Sequence, residues 1–136
     1  LALNAAVPAE YPRTTLVVGS KVLERLGPVE NAGEILATLI RYYFVGLNRP
    51  LKFFPRTTWE YARALWRDGK SRPDALWAAA SAWQGDEYSL ALAEGDDPAC
   101  RICFAGDLPL DTEFEKTAAD IAGSLCRALN KKEQAS

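Results

Sequence analysis

Cys100 and Cys103 stand three residues apart, the spacing of half a zinc site. Zinc needs four good ligands. The chain has no histidine, and its third cysteine, Cys126, stands alone, so thiols buried on a helix are the better reading. Gly69-Lys70-Ser71 ends like a phosphate-binding loop, but that loop requires a glycine where Ala64 stands and a strand before it. Here a helix precedes, so Gly69 reads as a helix stop and Ser71 as a cap. Pro73-Asp74 spells the first half of a metal-dependent nuclease signature, yet no Asp-x-Lys or Glu-x-Lys follows to organise Mg²⁺ around a phosphate. The acids Asp86, Glu87, Glu94, Asp96 and Asp97 offer hard oxygen ligands. The better reading is a solvated loop that also caps the next helix. Without histidine the commonest general base is missing, and no serine has a partner base in its context. The chain is therefore expected to have no catalytic activity of its own.

The most informative run is residues 46–62. Gly46 can end one helix, Pro50 and Pro55 hold the chain extended, and Thr57 with Glu60 reads as a capping box that starts another helix. Between them lie Arg49, Lys52, Phe53, Phe54 and Arg56, basic and aromatic side chains on a stiff loop. One reading is a connector whose phenylalanines plug the core. The other is a binding loop for nucleic acid or a protein partner, with Arg49, Lys52 and Arg56 on an exposed side and Phe53 or Phe54 turned inward. The tryptophans Trp59, Trp66, Trp77 and Trp83 could stack bases. Their helical spacing favours core packing, with one or two left to face a partner.

Length bounds these readings. A chain of 136 residues, 49% of them apolar, forms one domain and can bury roughly two-thirds of its unfolded surface. The net charge of −2 gives no global attraction to nucleic acid, so any such contact needs a local patch. Three cysteines, an odd number, argue against a disulfide framework and fit a reducing cytoplasm. No apolar run is long enough to cross a membrane, and the first residues lack the pattern of a signal peptide. The chain contains no methionine and opens in what reads as the middle of a helix, which suggests a piece excised from a longer protein.

The elements that must carry these residues follow from periodicity and caps. Thr14 to Val18 and Lys21 to Leu26 read as a β-hairpin around Gly19-Ser20. Asn31 caps a helix reaching Val45, with Ile35, Leu36, Leu39, Ile40, Tyr43 and Phe44 at helical spacing. This is the most apolar helix and the expected centre of the core. A helix from Thr58 to about Asp68 carries Trp59, Ala62 and Trp66 on one face. Ser71-Arg72-Pro73-Asp74 opens another, lined by Leu76, Trp77, Ala80 and Trp83 and ended by Gly85. Asp97-Pro98 starts a short helix through Phe104. A last helix from Asp111 to about Leu129 buries Phe114, Ala118, Ile121, Ala122, Leu125 and Leu129. The expected class is α+β, dominated by helices packed against a small antiparallel sheet or hairpin.

Arg49-Pro50-Leu51-Lys52-Phe53-Phe54-Pro55-Arg56-Thr57 resembles the RPL-x-FFP-[KR]-[ST] segment of the C-terminal domain of RecC, the gamma subunit of exodeoxyribonuclease V. The resemblance runs along the chain in order. Leu1 to Ala6 is similar to the end of a preceding helix, Thr15 to Gly19 to the following strand, and Pro28 to Asn31 to the next helix start. Trp83-Gln84-Gly85 and Glu94-Gly95-Asp96-Asp97-Pro98 resemble the W-x-G and GE-x-DDP stretches, and Leu108 to Phe114 the closing PLD-x-EF. Ala99 departs from the pattern, standing where an aromatic residue is common, so that ring's contact is not carried over.

The resemblance implies the distal part of an inactive PD-(D/E)xK nuclease-like domain, a single unit over residues 1–136. It implies a role in subunit assembly and DNA handling within the RecBCD helicase–nuclease. RecC proteins contribute duplex splitting, a channel for single-stranded DNA and recognition of the Chi sequence. The expected partners are RecB-like and RecD-like subunits, and DNA through the assembled complex. ATP and Mg²⁺ belong to the partner subunits, so no cofactor or metal is expected here. A free-standing helical interaction module and a metal-dependent nuclease using Asp96 and Asp97 are the other classes consistent with the sequence.

Overall fold

The computed structural model describes residues 1–8, 10–19, 23–29, 31–85, 93–104 and 108–130. A short helix, α1 (Ala2–Ala6), precedes two strands, β1 (Thr15–Val18) and β2 (Leu23–Leu26). They pair antiparallel, with Thr15 opposite Leu26 and Val18 opposite Leu23. The hairpin is thus present, its first strand starting at Thr15 rather than Thr14, while Ser20, Lys21 and Val22 lie outside the described residues. Leu16 and Val18 are solvent-exposed, and no described strand side chain enters the core. Among the described residues the core forms between helices rather than between helices and a sheet. A four-residue strand pair has too little apolar face to organise a core of this size.

Six longer helices follow: α2 (Ala32–Gly46), α3 (Pro55–Ala62), α4 (Arg72–Gln84), α5 (Pro98–Phe104), α6 (Thr112–Ala118) and α7 (Ser124–Asn130). α3 runs on without a break into a π turn at Arg63–Arg67, and α6 joins α7 through a second π turn at Ala119–Gly123. The two π turns meet. A Cβ added at Gly123 would lie 2.9 Å from the Trp66 ring, so the absence of a side chain there lets the indole lie against the backbone. The expected last helix is therefore one continuous rod with a widened turn.

Local chemistry explains several helix ends. Ser71 caps α4 by accepting the Asp74 N–H. Asp97 accepts the N–H groups of Ala99 and Cys100 at the start of α5, and Asp111 those of Glu113 and Phe114 at the start of α6. Gly85 ends α4 at φ 79°, a left-handed conformation that favours glycine. Two expectations are corrected. Asn31 precedes α2 but makes no side-chain cap. The Thr57–Glu60 capping box does not form, because Pro55 already occupies the first helical position. Thr58 Oγ1 instead accepts the Phe54 N–H at 3.0 Å.

The core lies among α3, α4, α5 and α6. Phe54 sits at its centre, its ring centroid 4.5 Å from Trp83, 5.1 Å from Phe104 and 6.3 Å from Phe114. Ala75, Ala79 and Ala82 give α4 a small buried face, which lets α3 approach it closely. Trp77 points to solvent, against the expectation that it lines this helix's inner face. The larger correction concerns α2. Only Ala32 and Ile35 of that helix are buried, while Ile40, Tyr43 and Phe44 are exposed. Its apolar residues form two stripes, and one helix can turn only one stripe toward the core.

Candidate interaction site

The basic loop lies between α2 and α3 and leans on the start of α6. The Lys52 ammonium donates to Asp111 Oδ2, and Arg49 Nη1 donates to Glu113 Oε1 at 2.8 Å. Asp111 therefore serves twice, capping α6 through one oxygen and holding the loop through the other. The Lys52 ammonium, aided by the Phe114 N–H, holds the Asp111 carboxyl below the usual carboxylate range. Arg49 remains more than half exposed in this pair, and Lys52 is half-buried. Phe53 lies at the surface with Phe54 beneath it. Arg56 is half-buried, and its backbone N–H is engaged. Arg49 and Lys52 thus reach the same helix start, whereas the Arg56 backbone meets a different element.

That element is the 3₁₀ turn Glu94–Asp96. Glu94 reaches the first turn of α3, where its two carboxylate oxygens accept the N–H groups of Arg56 at 3.1 Å and Thr57 at 2.7 Å. A side chain from a distant segment thereby satisfies two of the donors that a helix start leaves open. Beside it Gly95 lies flat on Trp83: an added Cβ would stand 2.8 Å from the indole. Asp97 is occupied at the start of α5, and Asp96 is exposed. Asp86 and Glu87 fall outside the described residues.

A further polar cluster ties α4 to α6. Arg72 grips Glu115 with two bonds, Nε to Oε2 and Nη2 to Oε1, each 2.7 Å, and the Tyr61 hydroxyl donates to Glu115 Oε2 at 2.9 Å. The guanidinium holds the Glu115 carboxyl below its ordinary value. Burial, with the carboxylate beside it, pushes the Tyr61 hydroxyl up to about 12. Tyr42 of α2 donates to Asp120 Oδ2 at 2.7 Å, anchoring that helix to the second π turn. Sequence reasoning missed these contacts, because each pairs residues far apart in the chain. A hint was available for Glu94, an acid beside glycine ahead of Asp-Asp-Pro.

The cysteines make no common site. Cys100 is half-buried, its thiol raised by burial and by Asp97 and Glu94, Cys103 is exposed, and Cys126 is buried with its thiol raised by that burial. Among the described residues no group of three or more His, Cys, Asp or Glu is placed to hold a metal ion. Among them, too, no helix is long and apolar enough to cross a membrane.

The family model of the RecC C-terminal domain matches residues 1–66. Over that span, just under half of the chain, the sequence is similar to the RecC C-terminal domain. No curated protein and no solved structure matches the chain. The match ends at Trp66, yet residues beyond it fold onto the matched part. Trp83 packs against Phe54, Glu94 accepts the Arg56 and Thr57 N–H groups, and Asp111 holds Lys52. A RecC domain implies a RecC-like member of the RecBCD complex, exodeoxyribonuclease V.

Proposed function

We propose that the chain is a non-catalytic C-terminal part of a RecC-like gamma subunit, serving subunit assembly and DNA handling in double-strand break repair and homologous recombination. On this reading it works in the cytoplasm, beside RecB-like and RecD-like subunits that carry the ATP and Mg²⁺ chemistry. Its helices would correspond to the distal part of an inactive PD-(D/E)xK nuclease-like domain. The observation that carries the reading is the use made of the carboxylates. Glu94, Asp97 and Asp111 cap helices, while Glu115 binds Arg72 and Tyr61. Acids committed to holding helices together suit a docking scaffold better than turnover.

The contact edge in this proposal is the loop carrying Arg49, Lys52, Phe53 and Arg56. Its ion pairs are at the surface, where such pairs contribute about 0–1 kcal/mol, so the cations can serve a partner or a DNA backbone at little cost in stability. The test replaces Arg49, Lys52 and Arg56 together by alanine in the full-length subunit. Assembly with the RecB-like and RecD-like subunits, or duplex DNA binding by the complex, should fall while the melting temperature stays nearly unchanged. A large loss of stability with binding intact would make the charges structural. Purified chain with single- or double-stranded DNA, ATP and Mg²⁺ or Mn²⁺ should neither cut DNA nor hydrolyse nucleotide. Cleavage abolished by Asp96→Ala or Asp97→Ala would put the nuclease reading in its place.

A further inference from the structure

Leu36, Ile40, Tyr43, Phe44 and Leu47 recur every three or four residues, the spacing of an apolar seam along α2 and its C-terminal edge. A buried helix face would hide them. Here Ile40 is 48% exposed, Tyr43 65%, Phe44 59% and Leu47 63%. The rings of Tyr43 and Phe44 meet edge to face, centroids 5.7 Å apart, so the seam has a fixed shape rather than loose side chains. The opposite side of the helix is anchored by buried Ile35 and by the Tyr42–Asp120 hydrogen bond, which keeps the seam facing outward.

The charge beside the seam identifies what it fits. A shallow groove at its C-terminal end is lined by Phe44, Val45, Asn48, Arg49 and Arg41, whose guanidinium lies 5.7 Å from the centre of the Tyr42 ring. Among the described residues no carboxylate pairs with Arg41, and Arg49 gives one nitrogen to Glu113 with the rest of its fork left to donate. A phosphate backbone would match the guanidiniums and set a polyanion against four aliphatic and aromatic side chains. A second copy, packed antiparallel with Ile40 on its Tyr43, would bring the two Arg41 side chains together across the two-fold axis. Its Glu34 would come opposite Arg49, which leaves the apposed Arg41 pair without an acid. An apolar helix with acids along one flank satisfies both the seam and the groove.

We propose that the exposed seam of α2 docks a partner protein's amphipathic helix, with Ile40, Phe44 and Leu47 receiving its apolar residues and Arg41 and Arg49 its acidic flank. This deepens the assembly reading and rests on it for the existence of a protein partner. The test uses synthetic helices instead of the subunits, so the two can fail separately. Two fluorescent peptides of roughly 20 residues, long enough to be helical, share a leucine seam and carry glutamate or lysine on the flank. Anisotropy should show the glutamate peptide binding about tenfold or more tightly than the lysine peptide. Phe44→Ser and Ile40→Ser should each lower its affinity about tenfold, and Arg41→Glu should abolish the preference. Circular dichroism melting confirms that these surface variants fold. Equal binding of the two peptides, binding of neither, displacement by a single-stranded oligonucleotide, or sedimentation showing a dimer broken by Phe44→Ser would each overturn the proposal.

Discussion

The Glu94 carboxylate occupies the start of α3, its oxygens accepting the Arg56 and Thr57 N–H groups at 3.1 and 2.7 Å. The helix has no side-chain cap of its own from Phe54, so this remote acid supplies what a local serine or aspartate usually would. Glu94→Ala should destabilise the chain by about 0.5–2 kcal/mol in urea titrations, the range of a lost cap. Glu94→Gln, which keeps one acceptor oxygen, should lose less. Equal stability of wild type and Glu94→Ala would mean that water replaces the carboxylate without cost.

Phe54 and Phe53 are neighbours in sequence with opposite fates. Phe54→Ala removes the ring around which Trp83, Phe104 and Phe114 gather and should cost about 3–5 kcal/mol. Phe53→Ala should stay within about half a kcal/mol, the surface range. Chemical denaturation of both variants settles the order, and similar losses would place both rings in the core.

Gly123 gives a test in which two effects oppose. Alanine is favoured over glycine inside a helix by roughly 1 kcal/mol. The added Cβ, however, would meet the Trp66 ring at 2.9 Å, and overpacking of that kind costs about 1–3 kcal/mol. Gly123→Ala should therefore lower the melting temperature and shift the tryptophan near-ultraviolet signal. A rise in stability would show that the two π turns do not press together.

The folded state should weaken at both ends of the pH scale, for different reasons. Asp111 and Glu115 have folded-state values below the ordinary ones, so the stability they contribute is present at neutral pH and is lost as pH falls below about 4. Tyr61 is raised to about 12, so its contribution is complete below the ordinary tyrosine value of about 10 and disappears as pH rises through 12. Absorbance titration should resolve one tyrosine ionising near 12, and Glu115→Gln should bring it down.

Helix starts with local grammar were legible from residues alone. Ser71 before Asp74, Asp97 before Pro98 and Asp111 before Glu113 each announced a cap that the structure contains. The centre of the core was not. α2 carries the most apolar pattern, yet its burial depends on which side meets a neighbour, and periodicity cannot tell an inner stripe from an outer one. The start of α3 was misread for a related reason: Thr57 and Glu60 have the spacing of a capping box, but Pro55 begins the helix earlier and Glu94 supplies the acid. For the basic loop, sequence showed the cations but not Asp111 and Glu113, which lie across the fold.

The Glu94 cap also bears on the order in which the chain assembles. The group that completes the first turn of α3 lies 37 residues beyond Thr57, and α4 intervenes. Closing so long a loop carries an entropic penalty that local helix formation does not. α3 should then grow backward, from its packing against α4 toward Pro55, and its first turn should be among the last parts of the domain to gain protection from hydrogen exchange. A polypeptide ending at Trp66 would contain the whole matched segment and still lack both the acid that finishes this helix and the rings that enclose Phe54. The matched span is thus shorter than the set of residues that complete its own helix and enclose its central ring.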